Sequence, residues 1–421
     1  MPRCLQIGLL PVLFVVLVGA QSSPVITETE YLSVLNQNHP VVREATGAIA
    51  MAEARVLEAA TQENPVLGAI REDPDGPVRQ TELMISWQLP DAARKSEVKN
   101  RRQEVKAAKA HFTEQVLAHR LAMREAYASW AVASDRQRRL AAQATRVEAL
   151  AERQAARAEK GLSSGLESHR LKLAANALLS RVAVAAVDRE RTRAQAATWY
   201  PNLPKEARPV LPDLPDLLMA EGSPDRVGST AQIQAAEENL AAARLARVAA
   251  GRFLRSPQVS VGWQRQEAES GSVGGPTFGL AWSVPVFDRK QAARASAEAR
   301  IETAQIRLEL IEGEVRASRD AARKSFEHLS TALDQGRQEG GINERMLDGA
   351  EAAFRLGEAS LTDLLEIQRA VTEAELALLD LHEAALAAHR EIERLAGLVP
   401  SFPQTHTENP TSDSPTAEKA P

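Results

Sequence analysis

The chain is written twice. Trp87 and Pro90 recur as Trp282 and Pro285, and Arg94-Lys95 recurs as Arg289-Lys290, all at an offset of 195. Gly161, Ser164 and Glu167 recur as Gly357, Ser360 and Asp363 at an offset of 196, and Pro65 has its counterpart in Pro257 at 192. Single matches arise by chance. An ordered series at near-constant offset marks a duplicated structural unit. Each half runs helix, short extended pair, very long helix, glycine turn, return helix. The first repeat spans residues 21–200, with a β-hairpin at about 64–89 and a helical hairpin over 91–200. The second spans 225–400, with a β-hairpin at about 257–286 and a helical hairpin over 288–398. Between them, residues 201–224 include Pro201, Pro204, Pro209, Pro212, Pro215 and Pro224. Such a stretch cannot be helix and reads as an ordered, equatorial connector. Residues 401–421 are rich in Pro, Thr, Ser and Glu, the composition of a disordered tail.

The helices are too long for a globule. From Asp91 to Lys160 there are 70 residues without a glycine or proline, built on Ala, Arg, Glu and Gln. As one helix they would measure about 105 Å at ~1.5 Å per residue. Gly/Pro-free stretches of 35 and 39 residues follow at Leu166–Tyr200 and Glu358–Ala396. Residues 288–353 have helical composition, but Gly313, Gly336, Gly340, Gly341 and Gly349 leave the continuity of that helix open. Aromatic residues are only 4% of the chain, so small-residue seams between helices fit better than one thick core.

The extended pairs point to a membrane. Gln258 to Trp263 and Phe278 to Val284 alternate apolar with small or polar residues, across a Gly- and Ser-rich loop. In the first half, Asn64–Arg71 and Glu82–Leu89 flank the turn signal Asp73-Pro74-Asp75-Gly76. Three of the five tryptophans, Trp87, Trp263 and Trp282, lie in these strands, and with Phe278 they are candidates for a membrane aromatic girdle. Four strands cannot close a barrel, and open edges are forbidden in hydrocarbon. Copies must therefore pool strands. Two would give eight, filled by side chains; three would give twelve and the start of a conduit.

Residues 1–20 carry Arg3, an apolar run from Leu5 to Val18 and the small-residue pattern Val18-Gly19-Ala20, as in a secretory signal peptide. Cleavage there removes Cys4, the only cysteine, and with it any disulfide or thiolate chemistry. A formal charge of −5 gives no electrostatic footprint for nucleic acid. No catalytic or metal-binding constellation stands out. His382 and His389 are seven residues apart rather than the four of a zinc helix, and His111 and His119 fit a solvated helix face. Neither an enzyme nor a cofactor is expected.

The ordered motifs resemble the TolC-like outer-membrane efflux factors over about residues 30–398. They are Asn38-His39-Pro40, Glu63-Asn64-Pro65, Trp87-Gln88-Leu89-Pro90, Val284-Pro285-Val286-Phe287-Asp288-Arg289-Lys290, and Arg355-Leu356-Gly357-Glu358-Ala359-Ser360-Leu361-Thr362-Asp363-Leu364-Leu365. The short first hairpin and the run from Pro285 to Lys290 look most like the heavy-metal-resistance, CzcC-type branch. The resemblance implies a mainly α protein with a small membrane β part: a long α-helical barrel, and four strands per protomer in a trimeric barrel. It implies an outer-membrane protein of a Gram-negative bacterium with a large periplasmic part. Partners would be its own homotrimer, a periplasmic adaptor (membrane fusion protein), an inner-membrane efflux pump and outer-membrane lipid. The function implied is a passive conduit for heavy-metal cations or other small toxic compounds in a tripartite, RND-type efflux system. The alternatives are a multidrug or type I secretion outer-membrane factor or, from another class, a soluble periplasmic coiled-coil adaptor or scaffold.

Two sets of residues carry over by resemblance. The helix tips Gly161, Leu162, Ser163, Ser164 and Glu167, and Gly357, Glu358, Ser360, Leu361 and Asp363, match the family's adaptor-docking turns. Asp363 and Glu366, three apart on one helix face, match carboxylates that constrict the tunnel mouth in relatives. An equal claim on the acids is that they simply sit at helix N-termini. Phe354 falls where relatives latch the closed mouth. Ala359 stands where they often have arginine, which leaves Arg355 to substitute, toward Glu167.

Overall fold

A computed structural model describes residues 24–72, 78–89, 94–162, 164–214, 230–250, 257–268, 271–282, 287 and 289–396. The leader 1–20, the tail 401–421, part of the connector and Ser163 lie outside the described residues. The elements in chain order are β1 (Val25–Ile26), α1 (Glu28–Leu32), α2 (Pro40–Ala60), β2 (Val66–Glu72), β3 (Val78–Gln88), α3 (Arg94–Glu159) and α4 (Gly165–Trp199). They continue with β4 (Arg208–Pro209), α5 (Ala231–Ala250), β5 (Gln258–Ala268), β6 (Gly271–Ala281), α6 (Gln291–Leu356) and α7 (Leu361–Ala396).

The duplication is visible in element lengths. Helices α3 and α6 have 66 residues each, and the return helices α4 and α7 have 35 and 36. The leading helices α2 and α5 have 21 and 20. At ~1.5 Å per residue, α3 and α6 each extend about 100 Å. Helix α2 starts where the sequence provides for it: the His39 ring accepts the Val41 N–H at 3.4 Å, and Pro40, which lacks an N–H, takes the first helical position.

Helix α6 is continuous through all five glycines that left its integrity open. At Gly336 the reason is packing. A Cβ there would lie 2.2 Å from Leu378 Cδ2, so the missing side chain admits α7 into close contact. At Gly313, Gly340, Gly341 and Gly349 a Cβ would meet nothing within 4 Å, so no close approach accounts for them.

The waist is the aromatic core. Tyr31, Tyr127 and Trp130 are buried, with Tyr31 and Tyr127 rings 5.3 Å apart and Trp130 edge-on to Tyr127. The Tyr31 hydroxyl donates to the Ala196 carbonyl at 2.7 Å. The Tyr127 hydroxyl lies 2.8 Å from the carbonyls of Ile26 and Val210 and accepts the Val210 N–H at 3.0 Å. It thereby ties α3 to the parallel β1–β4 pair, in which Val25 faces Arg208. Burial pushes the Tyr127 phenol up to about 12. The two repeats are laced together by ion pairs from α3: Arg124 to Glu393, Arg136 to Asp380, and Arg146 to Asp348 and Glu351.

The four long strands form one antiparallel sheet in the order β2-β3-β5-β6. The central β3–β5 pairing joins the repeats, with Leu83 opposite Trp263 and Trp87 opposite Val259. Strands β2 and β6 are the edges.

Candidate functional site: a two-faced sheet and paired helix tips

Because side chains alternate along a strand, the register assigns every residue of the sheet to a face. One face carries Leu67, Ala69, Leu83, Ile85, Trp87, Val259, Val261, Trp263, Pro276, Phe278 and Leu280. The other carries Val66, Gly68, Ile70, Glu82, Met84, Ser86, Ser260, Gly262, Gln264, Val273, Gly275, Thr277 and Gly279, small and polar at most positions but with exposed Val66, Ile70 and Val273. The apolar face is open: Phe278 is 79% and Leu280 72% exposed, whereas Ser86 on the opposite face is 8% exposed. Trp263 and Trp282 are also exposed, and Trp87 is half-buried. An apolar surface this continuous requires a cover of lipid or protein.

The small residues of the second face are there for space. A Cβ on Gly262 would lie 2.5 Å from the Leu83 carbonyl oxygen and 2.8 Å from Thr277 Oγ1, and one on Gly279 would lie 2.3 Å from Ser260 Oγ. Glycine at these points lets the sheet curl toward that side. Alternation within single strands was legible beforehand. That Trp87, Trp263 and Phe278 share a face, which only the cross-strand register shows, was not.

At the far ends of the helices the two tips are built alike. Gly161 and Gly357 adopt left-handed φ of 70° and 79°. The Gly161 and Leu162 N–H groups donate to the Ala158 and Arg157 carbonyls, both at 2.9 Å. In the second tip, Gly357 and Glu358 donate to Phe354 and Ala353 at 3.2 and 2.9 Å. These are paired Schellman closures, in which glycine avoids the left-handed penalty of a Cβ.

The return helices are then capped by the repeated serines. Ser164 Oγ accepts the Leu166 N–H at 3.2 Å. Ser360 goes further: its Oγ accepts the Asp363 N–H at 3.2 Å, and its own N–H and Oγ–H donate to the Asp363 carboxylate at 3.1 and 2.7 Å. That is a capping box with Asp in place of Glu. The side-chain and backbone hydrogen bonds from Ser360 hold the Asp363 carboxyl below its ordinary range.

The structure distributes the other tip residues unevenly. Glu167 does not form a box; its carboxylate accepts Gln154 Nε2 at 2.6 Å. Arg355 does not meet Glu167 within the protomer, since its Nε donates to the Glu351 carbonyl at 3.2 Å. Leu361 is buried rather than presented, and Phe354 packs half-buried against the Val147, Leu171, Leu361 and Leu364 cluster that joins both hairpins. Glu366 and Glu358 are exposed. Sequence reasoning missed Leu166 and Leu356, which stand exposed at the tips beside Leu162. Their signal was an apolar side chain next to a glycine turn with no helical partner position to fill.

Among the described residues no helix is long and apolar enough to cross a membrane, and no three His, Cys, Asp or Glu side chains gather to hold a metal.

Residues 228–398, nearly the whole second repeat, match the family model described as outer membrane efflux protein. No curated protein sequence matches the chain. Among solved structures, the Campylobacter jejuni CmeC outer membrane channel matches with a TM-score of 0.72 at 12% identity, over 88% of this chain and 85% of that one. The outer-membrane channel OprN matches at 0.71 and 17%, over 88% and 89%. VceC of Vibrio cholerae matches at 0.68 and 16%, over 88% and 96%. The fold is that of the TolC-like outer-membrane channels. The matching family and structures are channels, not enzymes. The two-faced sheet therefore corresponds to the barrel part of that fold and the paired hairpins to its helical part.

Proposed function

We propose that this chain is the outer-membrane conduit of a tripartite efflux system, working as a homotrimer. The observation that carries the reading is the sheet. Four strands offer an apolar face to the outside and a mostly small and polar face to the inside, with two edge strands and very long helices beneath. Three copies supply twelve strands, enough for closure around an aqueous lumen. A soluble scaffold or adaptor has no use for an exposed Phe278, Leu280 and Trp263 on one face. The leader 1–20 fits export from the cytoplasm. A heat-modifiable trimer in the outer-membrane fraction is expected; a monomer in the soluble periplasmic fraction overturns the proposal.

The tips are the docking end for a periplasmic adaptor, which passes cargo from an inner-membrane pump. Exposed Leu162, Leu166 and Leu356 offer apolar anchors around rigid glycine turns, the surface a helical hairpin of a partner can meet. Asp363 and Glu366, repeated by threefold symmetry, place acidic rings at the tunnel mouth, where they attract cations and repel one another when close. Heavy-metal cations are the cargo favoured by the CzcC-like motifs, and one solved structure of the same fold is CusC. Growth of a deletion strain on zinc, cobalt and cadmium salts against growth on dyes and antibiotics separates a metal from a multidrug system.

A further inference from the structure

The sheet sorts its charges by face. Arg71, Arg79 and Arg265 all fall on the apolar face, whereas Glu72 and Glu82 fall on the opposite one. Among the described residues only Glu267 joins the arginines; it stands opposite Arg79 in the register, and its carboxylate lies 3.2 Å from Arg265 Nε. Arg265 also reaches Ser272 Oγ at 3.5 Å. All three arginines are exposed, and none of the described strands contains a lysine.

They gather at one level. Arg71, Thr81, Arg265 and Gly274 form a single row across the four strands, with Arg79 one pleat further on. Strands lie about 4.8 Å apart and diagonal neighbours ~7–8 Å, so the three guanidiniums spring from backbone points within about 10 Å of one another. The row before this one, Ala69, Leu83, Trp263 and Pro276, is wholly apolar. Apolar gives way to cationic across one pleat. Trp263 marks the boundary: a Cβ on Gly274 would lie 3.2 Å from its Nε1, so the indole leans over Gly274 with its N–H at the arginine level. This row lies at the hairpin ends of the strands, away from the helices.

We propose that Arg71, Arg79 and Arg265 form a binding site for the phosphate groups of a lipid in the outer leaflet, the leaflet farther from the helices. The inference rests on the channel reading, which turns this face to lipid. Guanidinium forks match phosphate bidentately, which a lysine ammonium cannot. The apolar row beneath receives the acyl chains, and Trp263 spans the join, apolar ring below and N–H above. Free inorganic phosphate has nothing to bury there, so the lipid is the ligand and the anion alone is not.

The test uses the full mature chain, purified as its trimer, with bound lipid read by native mass spectrometry. Diphosphoryl lipid A should be retained, while its dephosphorylated counterpart should wash away. Inorganic phosphate at millimolar concentration should not displace it. R71Q/R79Q/R265Q should lower retention by about tenfold or more, and the triple lysine variant should recover part of it. Equal retention of phosphorylated and dephosphorylated lipid by the unmodified trimer overturns the proposal, whether or not any variant folds. Displacement by inorganic phosphate overturns it too, because the site would then recognise an anion rather than a lipid. If the chain forms no trimer in the outer membrane, the channel reading falls and takes this one with it. A proper trimer indifferent to the phosphates ends this inference alone.

Discussion

At the second helix tip one carboxylate has two claims on it. Asp363 accepts from the Ser360 N–H and hydroxyl, which engages it within its own helix. Glu366, one turn on, is exposed. If both acids constrict the tunnel mouth, Asp363→Ala with Glu366→Ala should raise single-channel conductance in planar bilayers and weaken cation selectivity. Glu366→Ala alone should carry the greater part of that change, because the Asp363 carboxylate is held in the capping box. Unchanged conductance and selectivity in the double variant would remove the gate assignment. The cap made by Asp363 was half legible in the sequence: a serine three residues before an acid spells a capping box. What could not be read was which acid forms it. Glu167, at the matching position, turns instead to Gln154 because that amide faces it from α3.

Single elements show where pattern reading works and where it stops. The 66-residue α3 was legible because Ala, Arg, Glu and Gln fill it without a break. The equal α6 was legible as helix but not as one continuous helix, since five glycines argue against continuity and only the approach of Leu378 to Gly336 explains one of them. The sheet gives a sharp test of its own. Leu280→Arg, on the apolar face, should cost about 2–4 kcal/mol of barrel stability if that face meets hydrocarbon. Thr277→Arg, on the opposite face, should be tolerated, with the yield of heat-resistant trimer as readout. Equal loss from both would mean that neither face sees lipid.

Helix α7 carries a second test, in its buried histidines. Arg337 Nη2 lies 3.1 Å from His382 Nδ1 and can only donate, so Nε2–H donates to the Pro212 carbonyl at 2.7 Å. His389 lies tilted against Phe326 with its Nδ1 3.8 Å from Glu393, and among the described residues neither ring nitrogen has a hydrogen-bond partner. Burial is the main reason both rings hold their protons less tightly than the ordinary value of 6.5. Once unfolded they protonate near 6.5, so below that pH the unfolded chain binds more protons than the folded one. Stability is therefore full above pH 6.5 and is lost as pH falls toward the depressed folded values. Denaturant midpoints measured from pH 7.5 down to 5 should fall, and His382→Gln with His389→Gln should flatten the slope.

As an outer-membrane channel, the molecule would be incomplete as one chain. The order β2-β3-β5-β6 leaves β2 and β6 with unpaired backbone on their outer sides, and membrane strands cannot be left so. The repeat, the long helices and the strand alternation are all properties of one chain, so they could be read from it. Closure is a property of several copies, and only the count of strands pointed to it. On the channel reading, the missing partner of β2 is β6 of the next copy. Adjacent strands within the sheet run antiparallel, and an even total keeps that alternation around the ring, so the new pairing is antiparallel as well. The only cysteine of the sequence is Cys4, so with Cys4→Ser in the background an introduced pair is unambiguous. Gly68→Cys combined in turn with Val273→Cys, Gly275→Cys and Thr277→Cys should produce, for the pair that falls in register, a disulfide ladder ending at the trimer on non-reducing gels. The other pairs should stay monomeric, because disulfide geometry demands Cα atoms within about 7 Å. A ladder ending at the dimer would mean eight strands and a filled interior, which no cargo could pass. A ladder from no pair would mean that these edges do not meet, and that the sheet is covered in some other way.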